Sequence, residues 1–386
     1  MQKLYIYHAY RDAVKKKRLL FFIPFLEKGG AENQALLLAS MLKEHCYIEF
    51  WALRNEGSLV SELEKLSIPY KTLDIDSSNF SSRWKLFKTL LKLLFELKKS
   101  RFDILLPFTY YPNVLCSVVW RYSGAKACHW NQRGMEKQMP VSKLEKRAIK
   151  AKPSYIANSE ACKDYIAERH ALAREKIKVI NNGVIKAEAR FNVAEWRKRL
   201  NIALESFCVT MAANYFPEKD HITVLKAWKE FTTTNSFSNA PLLVFSGSSH
   251  VNDSISSVKT MAWDLQLQST VCFLENNDDL AGLLDASSVC LLSSRSEGCP
   301  NSILEYMYHS KAIIATDIPA ITEVFRATNP YLFKVEDVKA LKSLLDRAYA
   351  NPEELSRLGL KNKDLVEKYY APEQMAEAYM SLLQNL

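Results

Sequence analysis

The sequence predicts an α/β protein built from two doubly wound domains. Three observations carry that expectation. Short β-branched and aromatic runs alternate with helical segments from Leu19 onward, the alternation loosens near residues 184–205 and then restarts, and 386 residues suffice for two cores of similar size. The domains are expected at 1–185 and 186–370, with 371–386 forming a helix, set off by Pro372, that crosses back onto the first domain.

The strands of the first half read as LLFFIPFL, YIEFWAL, PYKTLDI, DILLPF, KACHWN, PSYIANS and KIKVINNGV. Those of the second half read as FCVTMAA, PLLVFSG, STVCFLE, SSVCLLSS and KAIIATD. Open parallel sheets bind ligands beyond the carboxyl ends of their strands, so the segments that follow these runs are where chemistry is sought.

Apolar residues at 48% and charged residues at 25% fit a folded globular chain and exclude disordered or fibrous classes. The apolar run Ile104 to Trp120 contains Pro107, Pro112 and Asn113 and is too short to span a bilayer. The N-terminus lacks an apolar core followed by a small-residue cleavage site, so a cytoplasmic location is expected. Eight scattered cysteines show no metal-ligand spacing and read as reduced, mostly buried thiols.

The first recurring theme is a turn that admits an anion. Strand LLFFIPFL runs into Gly29-Gly30 and then a periodic helix, and paired glycines there let backbone amides approach an anion closely. The dinucleotide fingerprint G-x-G-x-x-G is absent, which argues against a nicotinamide enzyme. In the second half the loop after FCVTMAA holds Asn214 and Lys219, and a lysine at a strand end suits a phosphate.

The stretch SRSEGCPNSILEYM is the most informative. Pro300 suits the first helical position, which puts Glu297 in the preceding loop and aims the amides of Asn301, Ser302 and Ile303 at the crevice. Glu305 falls one to two turns inside, among Ile303, Leu304, Tyr306 and Met307, where a charge needs a hydrogen-bonding partner such as a sugar hydroxyl. Eight residues at about 100° each set Glu297 and Glu305 about 80° apart even on one helix, so they are not a face-aligned acid/base dyad.

Taken together and in order, GGAENQALLLASML, KIKVINNGV, ANYFPEKDHITVLKAW, PLLVFSGSS, LAGLLDASSVCLLSSRSEGCPNSILEYM and SKAIIATDIPAITEVF resemble the retaining glycosyltransferases of family 4. The resemblance implies the GT-B fold, two Rossmann-like domains facing a central cleft, and transfer of a sugar from a nucleotide-diphosphate sugar, UDP-linked in preference to GDP-linked. It implies a glycan or polyprenyl-linked acceptor in cell-surface polysaccharide synthesis. By the same resemblance Gly29 and Gly30 approach the diphosphate and sugar, Lys219 lies at the diphosphate with Asn214, which stands where the family often has arginine, and Asn301, Ser302 and Ile303 offer amides to the phosphates. Glu297 binds the donor sugar near the reacting face, Glu305 binds the ribose, and Leu274 to Asn276 border the base. A family histidine late in the first domain corresponds here to either His129 or Arg133.

Cleavage of the nucleotide-sugar bond develops negative charge on the departing diphosphate, which Lys219 and helix-start amides would stabilise. Since cationic and backbone donors can replace a divalent ion, the expected reaction is metal-independent, with no cofactor beyond the nucleotide sugar. The resemblance implies retention of the anomeric configuration by front-face attack; no residue is an evident covalent nucleophile.

Charge is uneven. Residues 1–185 hold 32 Lys and Arg against 18 Asp and Glu, and residues 81–152 hold 16 against 4. Residues 81–101 place Lys85, Lys88, Lys92 and Lys99 on one helical arc and Trp84, Phe87, Leu90, Leu91, Leu94 and Phe95 across a wide apolar arc. Such a helix either packs on the first sheet with a solvated basic face or meets anionic lipid headgroups at a peripheral membrane site. A nucleic-acid-binding protein would explain the basic half but not the motifs of the acidic half, so nucleic acid is not expected as a partner. The remaining alternatives are a sugar-nucleotide epimerase of GT-B shape and a sugar-nucleotide-binding protein without turnover.

Overall fold

The computed structural model describes residues 16–54, 57–76, 80, 82–135, 140–248, 254–326 and 329–384. The first fifteen residues, including most of the segment read above as lacking a secretory leader, and part of the basic stretch after Met135 lie outside the described residues. The chain divides into two compact units, Met1–Gly183 with Pro372–Leu386, and Val184–Ala371.

The first unit follows the order β1 (Arg18–Phe25), α1 (Gly30–Leu42), β2 (Tyr47–Arg54), α2 (Val60–Lys65), β3 (Tyr70–Thr72), α3 (Arg83–Ser100), β4 (Ile104–Pro107), α4 (Tyr110–Ser123), β5 (Ala127–Gln132), α5 (Lys143–Lys150), β6 (Ser154–Ala157), α6 (Glu160–His170) and β7 (Ile177–Val179). Among the described residues these strands form a parallel sheet in the order β3-β2-β1-β4-β5-β6-β7. A strand covered on both faces reads as continuous apolar sequence, and β1 shows why. Leu19, Phe21 and Ile23 enter one core with α1, while Leu20 and Phe22 enter the opposite core with α3 and α4.

The second unit runs α7 (Val193–Arg199), β8 (Cys208–Ala212), α8 (His221–Thr234), β9 (Leu242–Gly247), α9 (Ser254–Asp264), β10 (Val271–Glu275), α10 (Leu280–Ala286), β11 (Val289–Leu292), α11 (Asn301–Tyr308), β12 (Ile313–Thr316), α12 (Pro319–Phe325), β13 (Leu332–Phe333), α13 (Val338–Ala350) and α14 (Pro352–Tyr369). Its described strands are parallel in the order β10-β9-β8-β11-β12-β13. Asp279 anchors the entry to this unit. Its buried carboxylate caps α10 through Gly282 N at 3.1 Å and accepts from Arg190 N, Phe191 N and Trp196 Nε1 at 3.0, 3.0 and 2.7 Å.

The last helix, α15 (Pro372–Gln384), belongs to the first unit. Met375, Ala376, Tyr379 and Leu383 join the core that β1 and α1 share. Its start is matched to Gly183, where a Cβ would collide with Pro372, and the Gln34 carboxamide holds the Gly183 backbone from both sides at 2.8 and 3.1 Å.

Candidate functional site

Each sheet reverses its strand order at one point, and beyond the strand ends at such a reversal is where open parallel sheets bind ligands. In the second unit that point lies between β8 and β11, whose chains continue to β9 on one side and β12 on the other. The β8 loop carries Asn214 and Lys219, and the β11 loop carries Glu297.

The two loops meet through charge. Lys219 ends a 3-10 turn, Pro217–Lys219, and its Nζ pairs with Glu297 Oε1. Ser294 Oγ donates to the same carboxylate oxygen at 2.7 Å. Ser294 is fixed in turn: its N–H donates to Thr316 Oγ1 at 3.1 Å, and its carbonyl accepts from that hydroxyl at 2.8 Å. Two residues singled out from separate motifs, 78 positions apart, thus touch.

Helix α11 begins at Asn301, one residue later than the sequence suggested, because Pro300 takes the cap position with an extended backbone. The Ile303 N–H donates to Pro300 O at 3.2 Å, so an anion at this helix start would share that amide with the cap carbonyl. Asn301 and Ser302 make up the half-buried first turn. Tyr306, one turn on, accepts from Ala212 N at 2.6 Å and donates toward the carbonyls of Ala212 and Leu291, which fastens α11 to the ends of β8 and β11.

Glu305 lies in the second turn, between the buried Leu304 and Tyr306. Burial pushes its carboxyl up to about 7, and among the described residues no side chain or amide donates to it. The residue as a whole is half-buried, and a carboxyl acceptor partly shielded from water and without a protein donor suits hydroxyl donors.

Other candidates are placed differently. Asn214 Oδ1 accepts from Ser248 N at 3.1 Å and Ser248 Oγ at 3.2 Å, so its carboxamide oxygen braces the β8 loop against the end of β9. Gly247 permits that approach, since a Cβ there would strike the Ala213 carbonyl. Leu274 is half-buried near the end of β10, and Asn276 is exposed just past it in a left-handed conformation, φ 55°. No hydrogen bond among the described residues joins either one to Lys219, Glu297 or Glu305.

In the first unit the reversal lies between β1 and β4. Gly29 caps α1, Gly30 is its first residue, and the Asn33 N–H closes the first helical bond on Gly29 O at 2.9 Å. The absent Cβ of Gly29 makes room for the Glu32 carboxyl, which folds back over the cap. Burial raises Glu32 to about 7, opposed by its own backbone N–H and by the positive charge of Arg133.

Of the two residues suggested by KACHWNQRG, only Arg133 lies past the strand end. Its guanidinium stacks 5.4 Å from the Phe108 ring, and its Nη1 is buried without a partner among the described residues. His129 instead sits within β5, 2% exposed, with neither ring nitrogen paired. Burial lowers its pKa to about 4, so it is a neutral core imidazole. Of the pair left open by the sequence, His129 thus lies inside the strand and Arg133 beyond its end.

Sequence reasoning missed Arg295, Ser294 and Glu32. Arg295 and Ser294 lie inside the quoted motif but show their purpose only through partners far along the chain; Glu32 follows the glycine pair directly and was passed over for them. Among the described residues no group of three or more His, Cys, Asp or Glu could hold a metal ion.

Residues 28–187 match the family described as Glycosyltransferase Family 4, and residues 192–365 match Glycosyl transferases group 1. An Escherichia coli UDP-Gal:alpha-D-GlcNAc-diphosphoundecaprenol alpha-1,3-galactosyltransferase is 24% identical over 253 residues, 63% of this chain and 63% of that enzyme. An uncharacterized glycosyltransferase of Haemophilus influenzae is 24% identical over 182 residues, 47% of this chain and 50% of that protein. The chain therefore aligns with half to somewhat under two thirds of these curated relatives. Among solved structures, Anabaena HepE in complex with UDP and glucose superposes with a TM-score of 0.82 at 17% identity, over 96% of this chain and 100% of that one. A glycosyltransferase from Rickettsia africae does so with 0.81 at 17%, over 96% and 99%.

Proposed function

The chain belongs to glycosyltransferase family 4, and we propose that it moves a sugar, with retention of configuration, from a UDP-sugar to a polyprenyl-linked glycan at an anionic membrane surface. The observation that carries this reading is the arrangement where β8 and β11 adjoin: a Lys219–Glu297 pair, the start of α11, and a half-buried Glu305 carboxyl, raised to about 7, that lacks a donor among the described residues.

The proposed order along the donor follows from chemistry. Glu305 accepts the two ribose hydroxyls, and the first turn of α11 receives the phosphates with help from its dipole. Lys219 leaves Glu297 for the diphosphate, where it neutralises the charge that builds as the glycosidic bond breaks. Glu297, released from the ion pair, takes hydroxyls of the transferred sugar. The departing diphosphate oxygen then accepts the proton of the incoming acceptor hydroxyl on the same face, so the new bond keeps the old configuration. Lys219 and backbone donors suffice for charge stabilisation in this scheme, and we propose a metal-independent reaction.

Further support is indirect. HepE, which shares the fold, has been solved with UDP-glucose, and the E. coli relative is named for a UDP-sugar donor and a diphosphoundecaprenol acceptor. In the first unit, Gly29, Gly30, Glu32 and Arg133 supply a polar edge suited to sugar hydroxyls.

A panel of nucleotides and nucleotide sugars in a thermal-shift assay tests the donor site. UDP-sugars should raise the melting temperature of the wild type and leave Glu305→Ala unmoved; no response of the wild type to any nucleotide would refute the reading. Glu297→Ala should retain the nucleotide shift and lose transfer, read as labelled sugar on a lipid-linked acceptor in the presence of EDTA. Product anomericity by NMR decides retention.

A further inference from the structure

Helix α3 is apolar on two opposite faces. It packs inward through Thr89, Leu93 and Leu97, with Leu86, Leu90 and Leu94 half-buried beside them. Most of the wide apolar arc seen in the sequence does not take part. Trp84, Phe87, Leu91 and Phe95 are 63, 49, 47 and 68% exposed. At about 100° per residue, Trp84, Leu91 and Phe95 lie within about 40° of one another and about 180° from Leu93. They point straight away from the core. Single exposed apolar side chains are ordinary on a protein surface, but an aligned stripe of four along three helical turns is not.

The charges around the stripe choose its partner. Lys85, Lys88 and Lys99 form a row along one flank, where Lys92 also lies but donates from Nζ to Leu73 O at 2.9 Å, and Lys98 and Arg83 lie within the stripe and on the other side. The one acid of the helix, Glu96, is bound to Lys71 at 2.7 Å. Lys88 Nζ stands 5.4 Å from the Trp84 ring, and Trp84 stacks on Phe87 with centroids 5.7 Å apart. A second copy of the chain on this face would bring lysine rows together. An anionic bilayer satisfies both parts: the aromatic rings enter the headgroup boundary, and the lysine stems reach up to the phosphates. Among the described residues no helix is long and apolar enough to cross a membrane, so the contact is one of lying on the surface.

We propose that the outer stripe of α3, Trp84, Phe87, Leu91 and Phe95 with its lysine row, is the site at which the protein inserts into an anionic phospholipid surface. The inference deepens the reading of a lipid-linked acceptor and takes its purpose from it, but its test reads lipid binding alone.

The test is flotation of the full chain with vesicles of phosphatidylcholine and phosphatidylglycerol in equal parts, against phosphatidylcholine alone. The wild type should float with the anionic vesicles only. The combined variant Trp84→Ser, Phe87→Ser, Leu91→Ser, Phe95→Ser should bind at least about tenfold more weakly. Lys85→Glu, Lys88→Glu, Lys99→Glu should weaken binding as well. Because the four apolar side chains are exposed, the Ser variant should keep the wild-type melting temperature and its shift with UDP-sugars, so a failure here is separable from a failure of the donor site. The proposal falls if the wild type does not float at low salt, or if the Ser variant floats as well as the wild type. It also falls if the substitutions abolish self-association of a chain that ignores vesicles.

Discussion

The Arg295 guanidinium donates from Nη2 to Asp220 Oδ1 at 3.0 Å, joining the loop that bears Glu297 to the loop that bears Lys219. The same side chain donates from Nη1 to Pro217 O at 2.6 Å and from Nε to Glu336 Oε1 at 2.8 Å, while its own N–H reaches Glu218 O at 2.8 Å. Asp220 holds a left-handed backbone, φ 46°, and caps α8 through Thr223. Arg295 therefore sets the separation of the two loops without being one of the groups assigned to the donor.

Arg295→Ala should accordingly act on turnover through position. Displacing Lys219 and Glu297 by a fraction of an ångström is expected to lower kcat by about 10- to 100-fold with a smaller change in KM for the nucleotide sugar. Arg295→Lys should restore part of the rate, because one ammonium can reach either the Pro217 carbonyl or the Asp220 carboxylate but cannot fork between them. Steady-state kinetics beside a melting curve separate this from a folding defect: a lowered melting temperature with unchanged kcat would reduce Arg295 to a structural clamp.

Glu305 predicts a pH dependence of nucleotide binding. Its carboxyl is held near 7 by burial, and ribose hydroxyls donate best to the ionised form. Binding should therefore release a proton below about pH 7, and affinity should rise between pH 5.5 and about 7.5 before levelling off. Calorimetry in buffers of different ionisation enthalpy measures the proton directly. Glu305→Gln should weaken binding and flatten its pH profile; an unchanged slope in that variant would move the titration to another group.

Much of this was legible in the sequence, for a physical reason. Parallel strands buried on both faces spell continuous apolar runs, and Pro300 followed by an apolar-periodic segment marks a helix start to within one residue. The Lys219–Glu297 contact was not legible, since it depends on β8 and β11 lying side by side although β9 and β10 intervene in sequence. Periodicity also failed on α3: with apolar residues on opposite faces, it could not say which face meets the sheet. The choice between His129 and Arg133 was not legible either, because a histidine in KACHWN looks the same at the end of a strand as three residues inside it.

His129 and the buried His221 make the fold acid-sensitive. Burial lowers both to about 4, whereas an unfolded imidazole titrates near 6.5. Between those values the unfolded chain binds protons that the folded chain refuses, so this contribution is present above about pH 6.5 and is lost as pH falls toward 4. The carboxyls of Glu32 and Glu305, raised to about 7, have the opposite sign and oppose the trend above about pH 4.5. A His129→Leu variant isolates one term. Its stability relative to wild type should increase as pH falls from 6.5 to 4, by up to about 3 kcal/mol, in urea titrations at each pH. The same variant should retain transfer activity at pH 7.5, whereas Arg133→Ala should not; the reverse result would return His129 to the reacting site.

Thr109 carries the last expectation. It stands between β4 and α4 at the reversal of the first sheet, with φ 68° and ψ 177°, a conformation that a β-branched residue holds only under constraint. The constraint is a buried polar lattice. Thr109 N–H donates to Asn131 O at 3.3 Å, and Asn113 and Asn131 exchange bonds at 2.8 and 3.0 Å. Asn131 Nδ2 grips Pro107 O at 2.9 Å, and Tyr379 of α15 donates to Asn131 Oδ1 at 2.6 Å. Glycine adopts this backbone region freely, so Thr109→Gly should relieve about 1–3 kcal/mol of strain against an entropic loss of about 0.5–1 kcal/mol, and the melting temperature should rise. Asn131→Ala should do the opposite, since it leaves Tyr379 and the Pro107 carbonyl without their buried partner. A Thr109→Gly chain that melts lower than wild type would mean that the threonine side chain contributes more than its backbone costs.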